Sequence, residues 1–331
     1  MIFNNFIIQL IISSILILSC NSSKEVIVNY SSENRNLKDK KSITETAIIL
    51  KNEIYNPEIK TLLCHKKEDA LSLPIINLNS KEQLLISFDD LDGGVQDYYY
   101  TIIHCNSDWT ISNLMSSEYI NGFVDNQIID YKFSFNTLEE YTHYSFEFPT
   151  NYIKPLISGN YVFKIFNYQN DSAIAYRRFM VLENKLNIEA KVSRATLSDD
   201  RNTKHQVDFN INYKDLKLED PFSDIKVIIK QNNNETNIIT DLLPLFVKND
   251  ILIYDYEIEN TFYGNNEFRH FDIKNLRYQS ERIKKIRIDS LYNQVYLLDD
   301  QKYSYDLYSI KNDINGKFII QSKEKEISDI E

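Results

Sequence analysis

The chain has little glycine and no surplus of positive charge. Glycine supplies 6 of 331 residues, about 2% against a usual share of roughly 7%. Nucleotide-binding folds need clustered glycines where phosphate meets the backbone, so this scarcity argues against them. Lysine and arginine total 37 against 48 aspartates and glutamates, a formal net charge of −11. Nucleic-acid binding requires a basic surface, so nucleic acid is not an expected partner.

Recognised catalytic and metal-binding patterns are also missing. No GxSxG, HExxH, P-loop or Rossmann pattern occurs, and no two of the five histidines have helical or zinc-finger spacing. The acidic stretch Asp89–Gly94 does not fit a calcium loop, because the position twelve along from Asp90 is Thr101. We therefore predict no enzyme activity, no metal and no cofactor, and we interpret the stretch as an acidic turn.

His104 and Cys105 are the one adjacent pair with nucleophile chemistry. Neighbouring residues on a strand point to opposite faces, so the two cannot form a dyad with each other there. An exported hydrolase that uses His104, Asp108 or His143 stays open as a minor alternative.

The N-terminus has the pattern of an export signal. Residues 1–19 carry no charged side chain, and the apolar run Ile7–Leu18 is too short to span a bilayer. Ile17-Leu18-Ser19-Cys20 resembles a bacterial lipobox, which predicts a lipoprotein-type signal peptide over 1–19 and lipidation of Cys20. Residues 20–45 are polar and indicate a flexible tether. We expect a periplasmic protein tethered to the outer membrane by this lipid alone.

Two cysteines, Cys64 and Cys105, lie in the body of the chain. An oxidising compartment permits a disulfide between them. The sequence does not show whether their Cα atoms lie within bonding distance, so two buried free thiols are the other possibility.

Aromatic residues are abundant, with 23 Tyr and 18 Phe, which favours strands. Tyr141–Phe148 alternates with period two, which places Tyr144, Phe146 and Phe148 on one face. Short helical turns are expected only in Ile111–Phe123 and Thr150–Leu156. Further strand candidates before residue 184 are Leu84–Phe88, Tyr98–Cys105, Tyr161–Phe166 and Ala173–Leu182, the last two forming a hairpin.

A second set of strands follows the polar hinge Glu183-Asn184-Lys185. The pattern predicts an all-β protein with two consecutive β-sandwich (immunoglobulin-like) domains, 46–184 and 185–331. The second set comprises Ile188–Arg194, Gln206–Tyr213, Ile225–Gln231, Ile251–Tyr256, Glu267–Ile273, Lys284–Asp289, Gln294–Leu298 and Lys317–Ser322.

Several ordered segments resemble one family, the type IX secretion system plug protein, formerly a domain of unknown function. They run from about residue 60 to 320 and include Pro74–Leu78, Gln83–Asp92, Tyr98–Trp109, Ser117–Gly122, Tyr131–Asn136, Tyr141–Phe148, Ser158–Val162, Arg177–Val181, Arg194–Thr196, Ile238–Val247, Tyr254–Tyr256, Gly264–Asp272, Leu276–Ser280 and Asp313–Ile319.

The resemblance implies an all-β periplasmic protein without enzymatic activity. It implies binding to the periplasmic mouth of the giant outer-membrane translocon barrel, which the plug seals in the resting state. Family members continue into a further β domain after the segment that matches residues 313–331, so we expect this chain to end before one. A lipobox is not a feature that the family implies.

The resemblance transfers no residue-level binding motif. Exposed loops carry function more often than core strands do, so the partner-binding residues are predicted on physical grounds alone. They are Asp89, Asp90 and Asp92 in the acidic turn, Trp109, and Asn265 and Asn266. An outer-membrane glycan-binding β-sandwich lipoprotein is the alternative function.

Overall fold

The computed structural model describes residues 48–168, 172–264, 271–273, 275–290, 292–300, 314 and 317–318. They belong to one compact unit, Ala47–Glu331, and the predicted division at residue 184 stays a prediction. The predicted signal peptide, the tether, Cys20, Asn265 and Asn266 lie outside the described residues. Within those residues, no helix has the length and apolar content that crossing a membrane requires.

Strands dominate the described chain, as predicted. Up to residue 182 they are β1 (Glu53–Ile54), β2 (Ile59–Lys66), β3 (Ile75–Asn77), β4 (Leu84–Asp90), β5 (Tyr98–Cys105), β6 (Ile120–Gly122), β7 (Asn126–Gln127), β8 (Asp130–Phe133), β9 (Thr142–Phe148), β10 (Ile153–Pro155), β11 (Gly159–Asn167) and β12 (Ala173–Leu182), with one short helix, α1 (Ser116–Tyr119).

The remaining elements are shorter on average. They are β13 (Asn187–Arg194), β14 (Lys204–Asn212), α2 (Pro221–Asp224), β15 (Ile228–Lys230), a 3₁₀ turn (Gln231–Asn233), β16 (Ile238–Thr240), β17 (Phe246–Lys248), β18 (Ile251–Tyr254), β19 (Thr261–Tyr263), β20 (Ile283–Arg287) and β21 (Gln294–Leu297).

Two sheets face each other in the first half. The first sheet has the strand order β1-β12-β11-β5-β7, and β3 adds to β12 in parallel. The second sheet has the order β2-β4-β9-β8, all antiparallel. The strands β6 and β10 form a separate two-stranded ribbon. This arrangement is a β-sandwich, so the predicted all-β fold class is confirmed.

The sandwich core is built from alternate residues of the facing strands. Tyr144, Phe146 and Phe148 of β9 are buried, as the alternation predicts. Tyr100 of the first sheet stacks on Phe146 of the second with ring centroids 4.0 Å apart. Phe163 on the central strand β11 stacks on Phe179 of β12 at 4.2 Å. Because the interior is largely aromatic, each of these rings buries a large apolar area.

A second apolar core follows residue 185. It lies on a third sheet with the order β13-β14-β18-β17, to which β19 adds through β14. Phe209 of β14 and Tyr254 of β18 stack at 4.4 Å, and both are buried. Apolar residues of the β15–β16 ribbon pack against this cluster.

Some local predictions fail. Thr150–Leu156 contains the strand β10 rather than a helical turn, because Ile153–Pro155 pairs with β6. Ile111–Phe123 does contain the helical turn α1. The strand candidates Glu267–Ile273 and Lys317–Ser322 lie mostly outside the described residues, and their described parts, 271–273 and 317–318, are not strand.

Candidate functional site

The predicted acidic turn is largely a strand end. Asp89 and Asp90 belong to β4. Of the three aspartates, only Asp92 is exposed, and it lies in the turn that follows. Asp90 is fully buried. Its carboxylate accepts hydrogen bonds from the Tyr98 hydroxyl (2.8 Å) and from the Asp92 amide (3.0 Å). Asp90 is therefore held inside the fold by these contacts, and its predicted contact with a partner stays a prediction.

Asp89 lies on the outer face of the second sheet. Its Oδ1 is 2.7 Å from Nδ1 of His143, which is directly opposite on β9. Strand pairing continues this row to Lys60 on one side and to Lys132 on the other. Opposite charges on neighbouring strands support one another, and Asp89 has Lys60 beside it on β2. Asp89 therefore belongs to a cross-strand row of polar and charged side chains on a solvent-facing surface.

Trp109 contacts other residues of this chain and does not project from a loop tip. Trp109 lies in a tight turn, where its backbone has φ +67°. Its amide closes the turn by donating a hydrogen bond to the Asn106 carbonyl. The Arg178 guanidinium lies 4.3 Å from the Trp109 ring centroid. Arg178 also donates from Nε to the Leu50 carbonyl (2.7 Å) and from Nη1 to Glu235 (3.3 Å). Trp109 is thus part of an internal cluster, and its contact with a partner stays a prediction.

The two described cysteines are free and buried. Cys64 lies in the sandwich core, whereas Cys105 lies with Leu50 and Val162 in a cluster on the other face of the first sheet. The disulfide that the sequence left open is therefore not formed. Burial raises the pKa of the Cys64 thiol to about 12 and that of Cys105 to about 11. Both thiols are protonated at neutral pH and are poor nucleophiles.

The residues of the hydrolase alternative are hydrogen-bonded to different partners. His104 and Cys105 point to opposite faces of β5, as the sequence predicts. His104 Nδ1 lies 2.9 Å from the Ser112 hydroxyl, and burial lowers the pKa of His104. Asp108 is bound to Thr110, and His143 to Asp89. Among the residues that the structure describes, no group of three or more His, Cys, Asp or Glu side chains is placed to hold a metal.

A cleft of about 630 Å³ lies beside the ribbon strand β10. Its walls come from the turn before β4 and the turn after β9. Most of its lining residues are polar, including Asn77, Glu82 and Lys154, and Tyr152 is exposed beside them. Glu82 is already paired with Lys66 at 2.6 Å, which lowers the pKa of its carboxyl. The lining therefore combines polar groups with apolar surface.

One side of the sandwich carries many exposed apolar side chains, and we call it the lateral edge (residues 123–140). The edge strands of both sheets, β7 and β8, lie there, next to the facing strands β5 and β9. Exposed apolar side chains are concentrated in this segment. They are Phe123, Val124, Ile129, Tyr131, Phe133, Phe135 and Leu138.

Two comparisons with known proteins gave matches. Residues 59–183 match the family model described as "Type 9 secretion system plug protein 1st domain". A crystal structure of a hypothetical protein from Parabacteroides merdae aligns over 83% of this chain and 69% of its own, with 32% identity and a TM-score of 0.74. Residues 59–183 belong to the type 9 secretion system plug protein 1st domain family. A comparison with curated proteins gave no match.

Family membership assigns this plug-family chain to the type IX secretion machinery, with a location in the periplasm or at the outer membrane. The family is a secretion component and not a known enzyme family. Its match ends at residue 183, one residue before the predicted domain boundary.

Sequence reasoning missed the lateral edge as a candidate site. The signal was present in Tyr131–Asn136, where Tyr131, Phe133 and Phe135 alternate with polar residues. Alternation predicts a strand with one buried face. The sequence alone does not show that the side chains of that face stay exposed in the fold.

Proposed function

We propose that this chain is a non-catalytic plug of the type IX secretion system, which binds the periplasmic mouth of the translocon barrel and seals it in the resting state. The family match over residues 59–183 is the observation that carries the proposal. The hydrogen bonds of His104, Asp108 and His143 also support it, because each of the three has a different partner outside this set.

A seal requires a shape that resists deformation. The sandwich meets this requirement through its aromatic core, in which Phe163 contacts four other rings across both sheets. Reversible release favours an interface of moderate size with a polar rim over a large apolar one. The mixture of exposed apolar and charged side chains on the lateral edge suits such an interface.

We further propose that lipid on Cys20 holds the plug at the outer membrane. The motif Ile17-Leu18-Ser19-Cys20 supports this step. A tether confines the plug to the periplasmic surface of that membrane, close to the barrel. Confinement raises the effective concentration of the plug at the pore without any new contact.

Affinity capture tests the partner. The full chain carries a C-terminal tag and is expressed in cells with a type IX secretion system, and outer membranes are solubilised in mild detergent. We expect mass spectrometry to identify a β-barrel far larger than ordinary porins, enriched over a tag-only control. Failure to capture that barrel, when it is present and intact in the extract, would rule out the plug role for this chain.

The cleft beside β10 favours one alternative, a glycan-binding outer-membrane lipoprotein. An exposed tyrosine beside amide, carboxylate and ammonium groups is a suitable surface for a sugar ring. This alternative predicts binding to a glycan array that is lost in Tyr152→Ala, with no capture of the large barrel. The plug proposal predicts the opposite pattern.

A further inference from the structure

The edge strand β8 is open on one side. Among the residues that the structure describes, β8 pairs with β9 alone and ends the second sheet. All four of its residues are exposed. An exposed edge strand with apolar side chains is a template for pairing with another chain, and proteins ordinarily cover or block it.

The aromatic side chains of β8 lie on the core side of the sheet but are not enclosed by the core. Tyr131 pairs with Tyr144 and Phe133 pairs with Thr142, and both partners are fully buried. Paired residues share a face, so Tyr131 and Phe133 also point toward the first sheet. The centroids of the two rings lie 5.5 Å apart, yet the Phe133 side chain is 59% exposed.

The opposite edge strand is short. Among the described residues, β7 has two residues and pairs with Tyr99 and Tyr100 of β5, and the Ile128 amide after it donates to the Tyr98 carbonyl at 2.8 Å. The exposure of β8 fits a first sheet that ends before it covers this strand. Phe135, two residues beyond Phe133, is 83% exposed. The sandwich thus has an open seam between its two sheets, with an aromatic wall on one side.

The surroundings of the seam are acidic. Five exposed carboxylates accompany one exposed lysine, Lys132, along this edge; they are Asp97, Asp125, Asp130, Glu139 and Glu140. Asp97 is fixed to the edge through Gln127 of β7, whose amide donates to it at 3.4 Å. These carboxylates favour binding of a segment with positive charge and disfavour one with negative charge.

We propose that the lateral edge binds an extended segment of the translocon, which pairs with β8 as an added strand. Its alternate apolar side chains fill the seam against Tyr131 and Phe133, and its basic residues face the carboxylates. Backbone hydrogen bonds supply affinity in this mode, and the seam supplies specificity. The inference rests on the proposed function, because it names the part of the plug that contacts the translocon.

A second copy of this chain is a poorer occupant. Self-pairing through β8 would bring two edges together that each carry five carboxylates against one lysine. Like charges across an interface disfavour association. The carboxylates therefore protect the open edge against self-association and leave it available to a basic partner.

The test applies affinity capture of the barrel to the full tagged chain and to two double variants. Phe133→Glu with Phe135→Glu places charge in the seam. The matched control, Ile48→Glu with Ile54→Glu, adds the same charge at two exposed residues, one in β1 at the opposite edge of the first sheet and one six residues before it. We expect barrel capture to fall at least about tenfold in the seam variant and to stay unchanged in the control.

Hydrogen exchange then distinguishes strand addition from a general apolar contact. Amides of residues 129–135 should gain protection in the captured complex, and Asp130→Lys with Glu139→Lys should weaken capture. Equal capture by the seam variant and the unmodified chain would overturn the inference and leave the plug role intact. Equal losses in the seam variant and the control would also overturn it. No capture by the unmodified chain would refute both proposals.

Discussion

Phe163→Ala is expected to destabilise the protein by about 3–5 kcal/mol, because it opens a large cavity in the sandwich core. Phe163 is fully buried on β11, the central strand of the first sheet. The centroid of its ring lies 4.2 Å from that of Phe179, 5.1 Å from that of Phe148 and 5.6 Å from that of Phe146. Because these neighbours belong to β12 in one sheet and β9 in the other, local rearrangement cannot refill the cavity. Urea denaturation monitored by tyrosine fluorescence measures the change.

The matched control for this prediction is Phe135→Ala. Phe135 is the same residue type, but it lies on the lateral edge and is largely exposed. We expect a change in unfolding free energy within about 0.5 kcal/mol. If Phe163→Ala were as mild as the control, the aromatic core would not be the main source of stability in the first half.

Asp90→Ala is expected to cost about 1–3 kcal/mol, because it leaves a buried donor without an acceptor. The Tyr98 hydroxyl donates to Asp90 Oδ2 at 2.8 Å inside the sandwich. Burial and the neighbouring Asp90 carboxylate raise the pKa of Tyr98, so its hydroxyl stays protonated and keeps donating. The substitution also removes the acceptor for the Asp92 amide at the end of β4. The shift in the urea midpoint measures the loss.

Two variants separate this role from a partner-binding role. Asp90→Asn keeps an acceptor at the same place and should lose much less stability than Asp90→Ala. Asp92→Ala removes an exposed carboxylate in the same turn and should leave stability unchanged. A large loss in Asp92→Ala together with none in Asp90→Ala would contradict the assignment of Asp90 to the fold.

The faces of the long strands are predictable from sequence. Tyr144, Phe146 and Phe148 alternate with polar residues, and a single buried face requires that pattern. The same reasoning places His104 and Cys105 on opposite faces of β5, where the structure has them. Both predictions depend only on the alternation of side chains along one strand, which can be read directly from the sequence.

Features that depend on distant partners are not predictable in this way. The ribbon strand β10 exists because Ile153–Pro155 pairs with Ile120–Gly122, about thirty residues earlier, and its own three residues show no period. The charge of Asp90 predicts a turn, but β4 continues to Asp90, where it pairs with Thr142 of β9. Its burial is made tolerable by a hydrogen bond from Tyr98, which only the folded chain reveals.

In the candidate site, too, local features are predictable from the sequence and contacts with distant residues are not. The sequence indicates which residues carry charge or rings near Trp109, but not that Arg178 and Leu50 lie against that turn. At the lateral edge, the alternation of Tyr131 and Phe133 is visible in the sequence. Their exposure is visible only in the fold, where the opposite edge strand β7 has two residues. Exposure is a property of what faces a strand, and that information is not local.

The central claim is that this chain closes the translocon pore, and channel conductance tests it most directly. The purified translocon barrel is placed in a planar bilayer, its open current is recorded, and the purified chain is added to the periplasmic side. We predict that the current falls toward the closed level, and that the seam variant Phe133→Glu with Phe135→Glu requires at least about ten times more protein for the same closure. An undiminished current with the chain demonstrably bound to the barrel would contradict the claim.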